Sequence, residues 1–192
     1  SDFIKTLPFE LTHSQLNVLS EIKKDMLTEK PMNRLLQGDV GSGKTIVALI
    51  SMLIAVDNGF QTALMAPTEI LADQHAKNIS AMMGKLASIH KRKEIKVSLL
   101  LGGQKKTARN QKLSDIELQE ADIIIGTHAI FEEKVKFNNL GLIVIDEQHR
   151  FGVKQRALLQ SKGKTPDVLV MSATPIPRTL SMTVYGDLDL SI

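Results

Sequence analysis

A glycine-rich loop between an apolar run and a helix-like segment is the feature that most constrains the fold of this chain. The stretch GDVGSGKT occupies positions 38–45 and fits the pattern G-x-x-x-x-G-K-[ST]. It follows Leu35-Leu36 and precedes the apolar segment 46–50, which is the strand–loop–helix context of a phosphate-binding loop. Glycines let successive backbone N–H groups face an anion, and the helix dipole adds positive potential. The residues predicted to contact nucleotide phosphates are Gly38, Asp39, Val40, Gly41, Ser42, Gly43, Lys44 and Thr45.

An acidic pair far downstream matches this loop. The segment LIVIDE at positions 142–147 has the pattern of a buried strand that ends in two carboxylates. Asp146 is predicted to hold Mg²⁺ through its water shell, and Glu147 to orient and deprotonate the attacking water. Lys44 is predicted to reach the β- and γ-phosphates of ATP, and the Thr45 hydroxyl to bind Mg²⁺. Chance could explain the loop pattern alone, and surface charge could explain the acidic pair alone. Neither explains why both motifs occur together, each directly after an apolar run.

Composition limits the class of protein. The chain has 192 residues, of which 43% are hydrophobic and 23% charged, which suits one compact α/β domain. No apolar run approaches the ~20 residues of a membrane span, and no secretory signal is visible, so a cytoplasmic location is expected. Cysteine is absent from the sequence, which excludes disulfides and thiolate metal sites. The net charge of +3 permits a nucleic-acid partner without requiring one.

Short apolar runs alternate with longer helix-like segments along the chain. This alternation predicts a mainly parallel sheet with helices on both faces, because strands buried on both faces lack a clean polar–apolar alternation. The predicted strands are 34–37, 62–66, 97–101, 122–126, 142–146 and 168–172, and the predicted helices are 45–57, 69–89 and 107–120. Since the carboxyl ends of parallel strands emerge at one edge, the loops that follow them are expected to line the nucleotide site.

Several of these strand-end loops carry polar or glycine-rich motifs. They are APTE at 66–69, the double glycine at 102–103, GTH at 126–128 and SAT at 172–174. Such a row of loops could follow a nucleic-acid backbone without reading bases. The predicted DNA contacts are Pro67, Thr68, Gly103, Thr127 and His128. A basic segment with Lys105, Lys106, Arg109 and Lys112 either adds phosphate contacts or forms a solvated helix face.

Taken together, these motifs resemble those of superfamily 2 helicases and translocases. LTHSQ at 11–15 resembles the family's upstream glutamine motif, which implies that Gln15 reads the adenine edge. The segments 38–45 and 66–69 are similar to motifs I and Ia, DEQH at 146–149 is similar to a variant of motif II, and 172–174 is similar to motif III. The resemblance implies a RecA-like P-loop domain that uses ATP and Mg²⁺.

Two longer sequence segments resemble those of the RecG type of bacterial DNA helicase. DEQHRFGV at 146–153 and ATPIPRTL at 173–180 carry this likeness. The resemblance implies that His149 acts in the catalytic cleft, although an ordinary core or surface histidine is the alternative. It also implies that the following residues couple the nucleotide state to the affinity for DNA: Gln148, Ser172, Thr174 and Arg178. The transcription-repair coupling translocases share part of these segments. They usually have Glu-Glu-His after the motif II aspartate, where this chain has Glu-Gln-His.

The resemblance further implies a monomeric enzyme that drives branch migration and reversal of forks and Holliday junctions in recombination and repair. Its motor contains two RecA-like domains and is preceded by a wedge domain. Residues 1–192 are expected to be the first RecA-like domain, with the glutamine motif in segment 1–30 and the other domains outside it. Alone, such a domain is expected to be poorly active. A nucleotide-switch ATPase that does not bind DNA is the alternative class, but a switch does not need the strand-end motifs.

Overall fold

The computed structural model describes residues 10–38, 43–90, 94–146, 166–172 and 189–191. The helices are α1 (His13–Met26), α2 (Lys44–Asp57), α3 (Glu69–His90) and α4 (Lys106–Glu117), with a 3-10 helix at His128–Phe131. The strands are β1 (Asn33–Gln37), β2 (Gln61–Met65), β3 (Val97–Leu100), β4 (Ile123–Gly126), β5 (Leu140–Asp146), β6 (Asp167–Ser172) and β7 (Asp189–Ser191). None of the helices in these ranges is long and apolar enough to cross a membrane.

The described strands form one seven-stranded sheet with the order β3-β4-β2-β5-β6-β1-β7. Every pair in it is parallel, which confirms the predicted α/β class. The six predicted strands are confirmed with shifts of one or two residues at their ends, as are three helices, although α4 ends three residues before its predicted end. Such shifts are expected because hydrophobic pattern locates an element better than its terminal residues.

Core residues lie on both faces of this sheet. Leu64 of β2 packs in one cluster together with side chains of α1, α2 and α3, whereas its neighbours Ala63 and Met65 pack in the other. The second cluster includes Ile116 of α4 and Phe131 of the 3-10 helix. Both faces of the central strands are therefore dry, which explains the unbroken apolar runs in the sequence. The expectation of helices on both faces is confirmed.

Three elements were absent from the predicted set of helices and strands: α1, β7 and the 3-10 helix. Helix α1 begins with a capping box at Thr12, packs against α2 and buries Val18, Leu19 and Ile22 in the first core cluster. Its signal was present in the sequence as a Thr-x-x-Gln capping pattern before apolar residues at helical spacing. Strand β7 has only three residues, and its place in the sheet comes from backbone pairing with β1, for which the sequence offers no apolar signal.

The amino edge of the sheet contains a partly buried carboxylate. The Met32 backbone N–H donates to Oδ1 of Asp167 at 2.6 Å, where β1 and β6 begin side by side. Burial raises the pKa of Asp167 to about 6, the hydrogen bond from Met32 acts in the opposite direction, and the nearby charge of Asp25 raises the pKa further. This edge lies at the far end of the strands from the phosphate loop, so the candidate site does not include it.

Candidate functional site at the carboxyl edge of the sheet

The carboxyl ends of β1, β6 and β5 are level with one another. Gln37 pairs with Ser172, and Asp146 pairs with Met171 in the adjacent ladder. The N–H of Gly38 donates to the carbonyl of Ser172 at 3.2 Å, so the first residue of the phosphate loop is fixed to the end of β6. The structure thus brings Gly38, Asp146 and Ser172 together. We call the loops after β1, β5 and β6 the nucleotide half of the edge.

The end of the phosphate loop has the geometry of a helix start that faces an anion. Gly43 precedes α2 with φ of 82°, in the left-handed region that favours glycine. Lys44 lies at the first position of α2, and its Nζ donates back to the carbonyl of Gly38 across the loop. Thr45 follows and is exposed in the first turn. Because the middle of α2 is buried in the core, its amino end, with its positive dipole, is held in place.

Gln15 lies beside this loop and also has a structural role. Its backbone N–H donates to Oγ1 of Thr12 at 3.1 Å, and the Thr12 N–H donates to Oε1 of Gln15 at 2.9 Å. A Cβ on Gly43 would stand 2.0 Å from Nε2 of Gln15, so the amide reaches the last glycine of the loop. The capping box therefore fixes the Gln15 side chain next to the phosphate loop, while its contact with adenine stays a prediction.

A buried arginine anchors the helix that carries Gln15. Arg34 is 8% exposed and projects from β1 toward α1. Its Nε and Nη2 donate to Oδ2 of Asp25 at 3.0 and 2.6 Å, and its Nη1 donates to Oε2 of Glu21 at 3.1 Å. A planar guanidinium that contacts two carboxylates fixes both position and orientation. The strand that leads into the phosphate loop thus holds α1 directly, a link that sequence reading missed.

The oxygen donors near the phosphate loop suit Mg²⁺. Asp146 supplies a carboxylate and Thr45 a hydroxyl, and Mg²⁺ prefers such hard oxygen ligands. In the part of the chain that the structure describes, no three His, Asp or Glu side chains group as a complete metal cage. Mg²⁺ in nucleotide sites is usually bound by one or two carboxylates, with phosphate oxygens and waters as its other ligands. The residues present therefore fit a nucleotide-bound Mg²⁺, and their assignment as ligands stays a proposal.

Sequence reading missed a histidine partner of Asp146. Nε2 of His75, from α3, lies 2.7 Å from Oδ2 of Asp146. The two side chains are 13% and 17% exposed, so solvent screens the contact only partly. The available signal was weak: His75 lies three residues after Ala72 and four before Ile79, on the buried side of α3.

The loops after β2, β4 and β3 form the other part of the edge, which we call the outer half. Met65, Gly126 and Leu100 end these strands in register. A Cβ on Gly126 would stand 2.3 Å from the Leu100 carbonyl oxygen, so only glycine allows this close approach. The predicted DNA contacts all lie here: Pro67, Thr68, Gly103 and His128 are exposed, and Thr127 is half-buried.

Two residues of the basic segment form hydrogen bonds to other parts of the chain. Arg109 donates to the carbonyl of Leu101 at 2.6 Å and to Glu132 at 2.7 Å. Nζ of Lys112 donates to the carbonyl of Leu99 at 2.6 Å, and burial lowers the pKa of this lysine. Both side chains therefore satisfy carbonyls at the β3 edge of the sheet. The segment was expected either to contact phosphate or to form a solvated helix face, and neither expectation describes Arg109 and Lys112. Of its four basic residues, Lys105 and Lys106 are the exposed ones.

Some predicted site residues lie outside the described ranges. From the phosphate loop they are Asp39, Val40, Gly41 and Ser42; from the later motifs they are Glu147, Gln148, His149, Thr174 and Arg178. Their roles stay predictions. Ser172 is described and buried at the end of β6, where its carbonyl accepts from Gly38.

Comparisons with known proteins show the family to which this chain belongs. The sequence profile of the DEAD/DEAH box helicase family matches residues 12–183. The ATP-dependent DNA helicase RecG of Thermotoga maritima is 52% identical over 191 residues, which cover all of this chain and 24% of that protein. RecG of Bacillus subtilis is 51% identical, with 99% of this chain and 27% of that protein covered. The chain thus spans about a quarter of the length of these relatives.

Solved structures show the same fold. A RecG bound to a three-way DNA junction matches with a TM-score of 0.82 and 49% identity, over 98% of this chain and 24% of that one. The DUF1998 helicase MrfA, only 20% identical, matches with a TM-score of 0.72 over 99% of this chain and 32% of that one, which shows a shared RecA-like fold alone. This chain belongs to the DEAD/DEAH box helicase family and is similar within it to RecG.

Proposed function

We propose that this chain is the first RecA-like motor domain of a RecG-type, ATP-dependent DNA helicase that acts on forks and Holliday junctions. The observation that carries the proposal is the division of one sheet edge into a nucleotide half and an outer half with exposed polar loops. The relatives named RecG and the structure of a RecG bound to a three-way DNA junction support the choice of branched DNA. Their bacterial sources support a bacterial cytoplasmic location.

The nucleotide half binds and hydrolyses ATP in this proposal. Lys44 exchanges its bond to the Gly38 carbonyl for a charge-assisted contact with the β- and γ-phosphates. Thr45 and Asp146 hold Mg²⁺, which neutralises charge on the phosphates when bound. Glu147 accepts the proton of the attacking water, and Gln15 contacts the adenine. The positive end of α2 adds a fixed attraction for the phosphates.

The outer half follows the DNA backbone. Exposed backbone N–H groups and small side chains after strands suit phosphate oxygens, and they carry no sequence readout. Thr68 begins α3, since its Oγ1 accepts the Leu71 N–H at 3.2 Å, and that helix start is favourable for an anion. Thr127 begins the 3-10 helix without using its side chain as a cap, so the hydroxyl is available for another contact.

Hydrolysis and movement require more than this chain in the proposed mechanism. A second RecA-like domain closes the nucleotide site and supplies an arginine to the transferring phosphoryl group, which is worth roughly 10³–10⁵ in rate. A wedge domain divides the fork. In this proposal His149 and Gln148 act together with the second domain, and Ser172, Thr174 and Arg178 couple the nucleotide state to DNA affinity. The full-length protein acts as a monomer.

DNA binding by the outer half is tested with Thr127→Glu in the full-length protein. The added charge opposes a phosphate contact, so the Kd for forked DNA is expected to rise roughly tenfold. Fluorescence anisotropy at several salt concentrations measures it, and the wild-type affinity should fall as salt rises. Ser80→Glu, an exposed position in the middle of α3, is the control for the charge change. Equal Kd values for the two variants would contradict the assignment, and no DNA binding by the wild type would favour a nucleotide switch.

A further inference from the structure

A hydrogen bond between two side chains joins the two halves of the carboxyl edge. His75 lies in the second turn of α3, which begins directly after the Pro67-Thr68 loop of the outer half. Its partner, Asp146, ends β5 in the nucleotide half, with Nε2 and Oδ2 2.7 Å apart. We propose that His75 is a positioning residue of Asp146: by holding Oδ2, it keeps the carboxylate oriented for contact with the water shell of Mg²⁺. The inference rests on the proposed nucleotide site.

The surroundings of His75 fix its ring. Ala72 and Ile79, on the same face of α3 one turn away on either side, are both buried in the core. The ring is therefore held between the helix and the sheet with little rotamer freedom. An ionised carboxylate can only accept hydrogen bonds, so Nε2 is the donor in this contact. A charge-assisted bond that is mostly shielded from water is stronger and more directional than an exposed one.

The contact has a consequence for metal binding. A carboxylate that contacts Mg²⁺ through water must present an oxygen in a constant direction, because the hydrated ion demands near-ideal octahedral geometry. The hydrogen bond from Nε2 of His75 fixes the position of Oδ2 of Asp146. With Oδ2 held, the plane of the carboxylate has less freedom to rotate, so its orientation toward a hydrated Mg²⁺ would be more constant. Through His75, the orientation of the carboxylate also depends on the position of α3, and hence on the loop proposed to contact DNA.

The test is the Mg²⁺ dependence of nucleotide binding by the full-length protein. Fluorescence of N-methylanthraniloyl-ADP is titrated with and without Mg²⁺, the latter in EDTA. His75→Ala is expected to raise the Mg²⁺ concentration for half-maximal effect by roughly 10–100-fold, as for other partners of metal-binding groups. Affinity in EDTA should not change. His75→Gln should restore the Mg²⁺ dependence, because its amide nitrogen reaches the place of Nε2. His75→Asn should not, because its amide nitrogen corresponds to Nδ1.

The comparison of Gln with Asn separates positioning from a structural role. If both variants show the wild-type Mg²⁺ dependence, or if both weaken binding equally with and without Mg²⁺, the proposal is wrong. Lys44→Ala is measured beside them. Loss of binding in that variant together with wild-type behaviour of all His75 variants would overturn only the role of His75. A wild-type protein that does not bind the nucleotide would overturn this proposal and the proposed function together.

Discussion

Replacing Lys44 with alanine is expected to weaken ATP binding roughly 10- to 100-fold, because a charged contact to phosphate contributes about 1.5–3 kcal/mol. The substitution also removes the donor to the Gly38 carbonyl, but α2 stays packed through its buried residues, so the domain should fold. Isothermal titration with ATP and Mg²⁺ measures the loss directly. The expected effect is on affinity, since the phosphate contact forms when the nucleotide binds.

Lys77→Ala is the matched control for this experiment. Lys77 is 76% exposed on α3, where it pairs with Asp73 at 2.8 Å one helical turn away. Its removal changes the net charge by the same amount but should leave ATP affinity nearly unchanged, because such surface pairs contribute little. Equal affinities of the Lys44 and Lys77 variants would show that Lys44 does not contact the phosphates.

Replacing Glu147 with glutamine is expected to preserve ATP binding and to slow hydrolysis in the full-length protein by roughly 10²–10⁴, the usual contribution of a general base. The amide has nearly the same shape as the carboxylate but cannot accept the proton of the attacking water. Position 147 directly follows Asp146, the last residue of β5 in the nucleotide half. Single-turnover measurements with bound ATP separate the chemical step from binding.

Glu117→Gln, at the exposed end of α4, controls for the loss of one negative charge. It should leave both ATP affinity and turnover at wild-type values. If Glu147→Gln instead lost ATP binding while bound ATP turned over normally, Glu147 would contribute to the nucleotide site without acting as the base.

The main features of the fold and site follow from the sequence for identifiable reasons. Strands buried on both faces must be apolar throughout, so the runs around Leu35 and Ile143 are visible without any alignment. Parallel strands end at one edge, so Gly38, Asp146 and Thr127 can be assigned to a common edge from their place after such runs. The phosphate-loop pattern then predicts the chemistry of that edge.

Other features depend on tertiary packing that no local pattern encodes. The order of strands places β5 next to β2, and this adjacency lets α3 bring His75 to Asp146 across 71 residues of sequence. The basic segment was misjudged for a similar reason. Its lysines and arginine look the same in the sequence whether their side chains contact phosphate or other parts of the chain. Only the edge position of β3, with carbonyls at Leu99 and Leu101, explains why Lys112 and Arg109 turn inward.

The central claim is that this chain forms one wall of an ATP site that needs a second domain. The most direct test is ATP turnover by this chain alone and by the full-length protein, each with and without forked DNA. In the proposed mechanism a second domain supplies the positive charge that stabilises the transition state, so the chain alone should show negligible turnover and no response to DNA. The full-length protein should be strongly stimulated. Robust DNA-stimulated turnover by the chain alone would contradict the claim and would direct attention to Arg150 and Arg178 as internal sources of that charge.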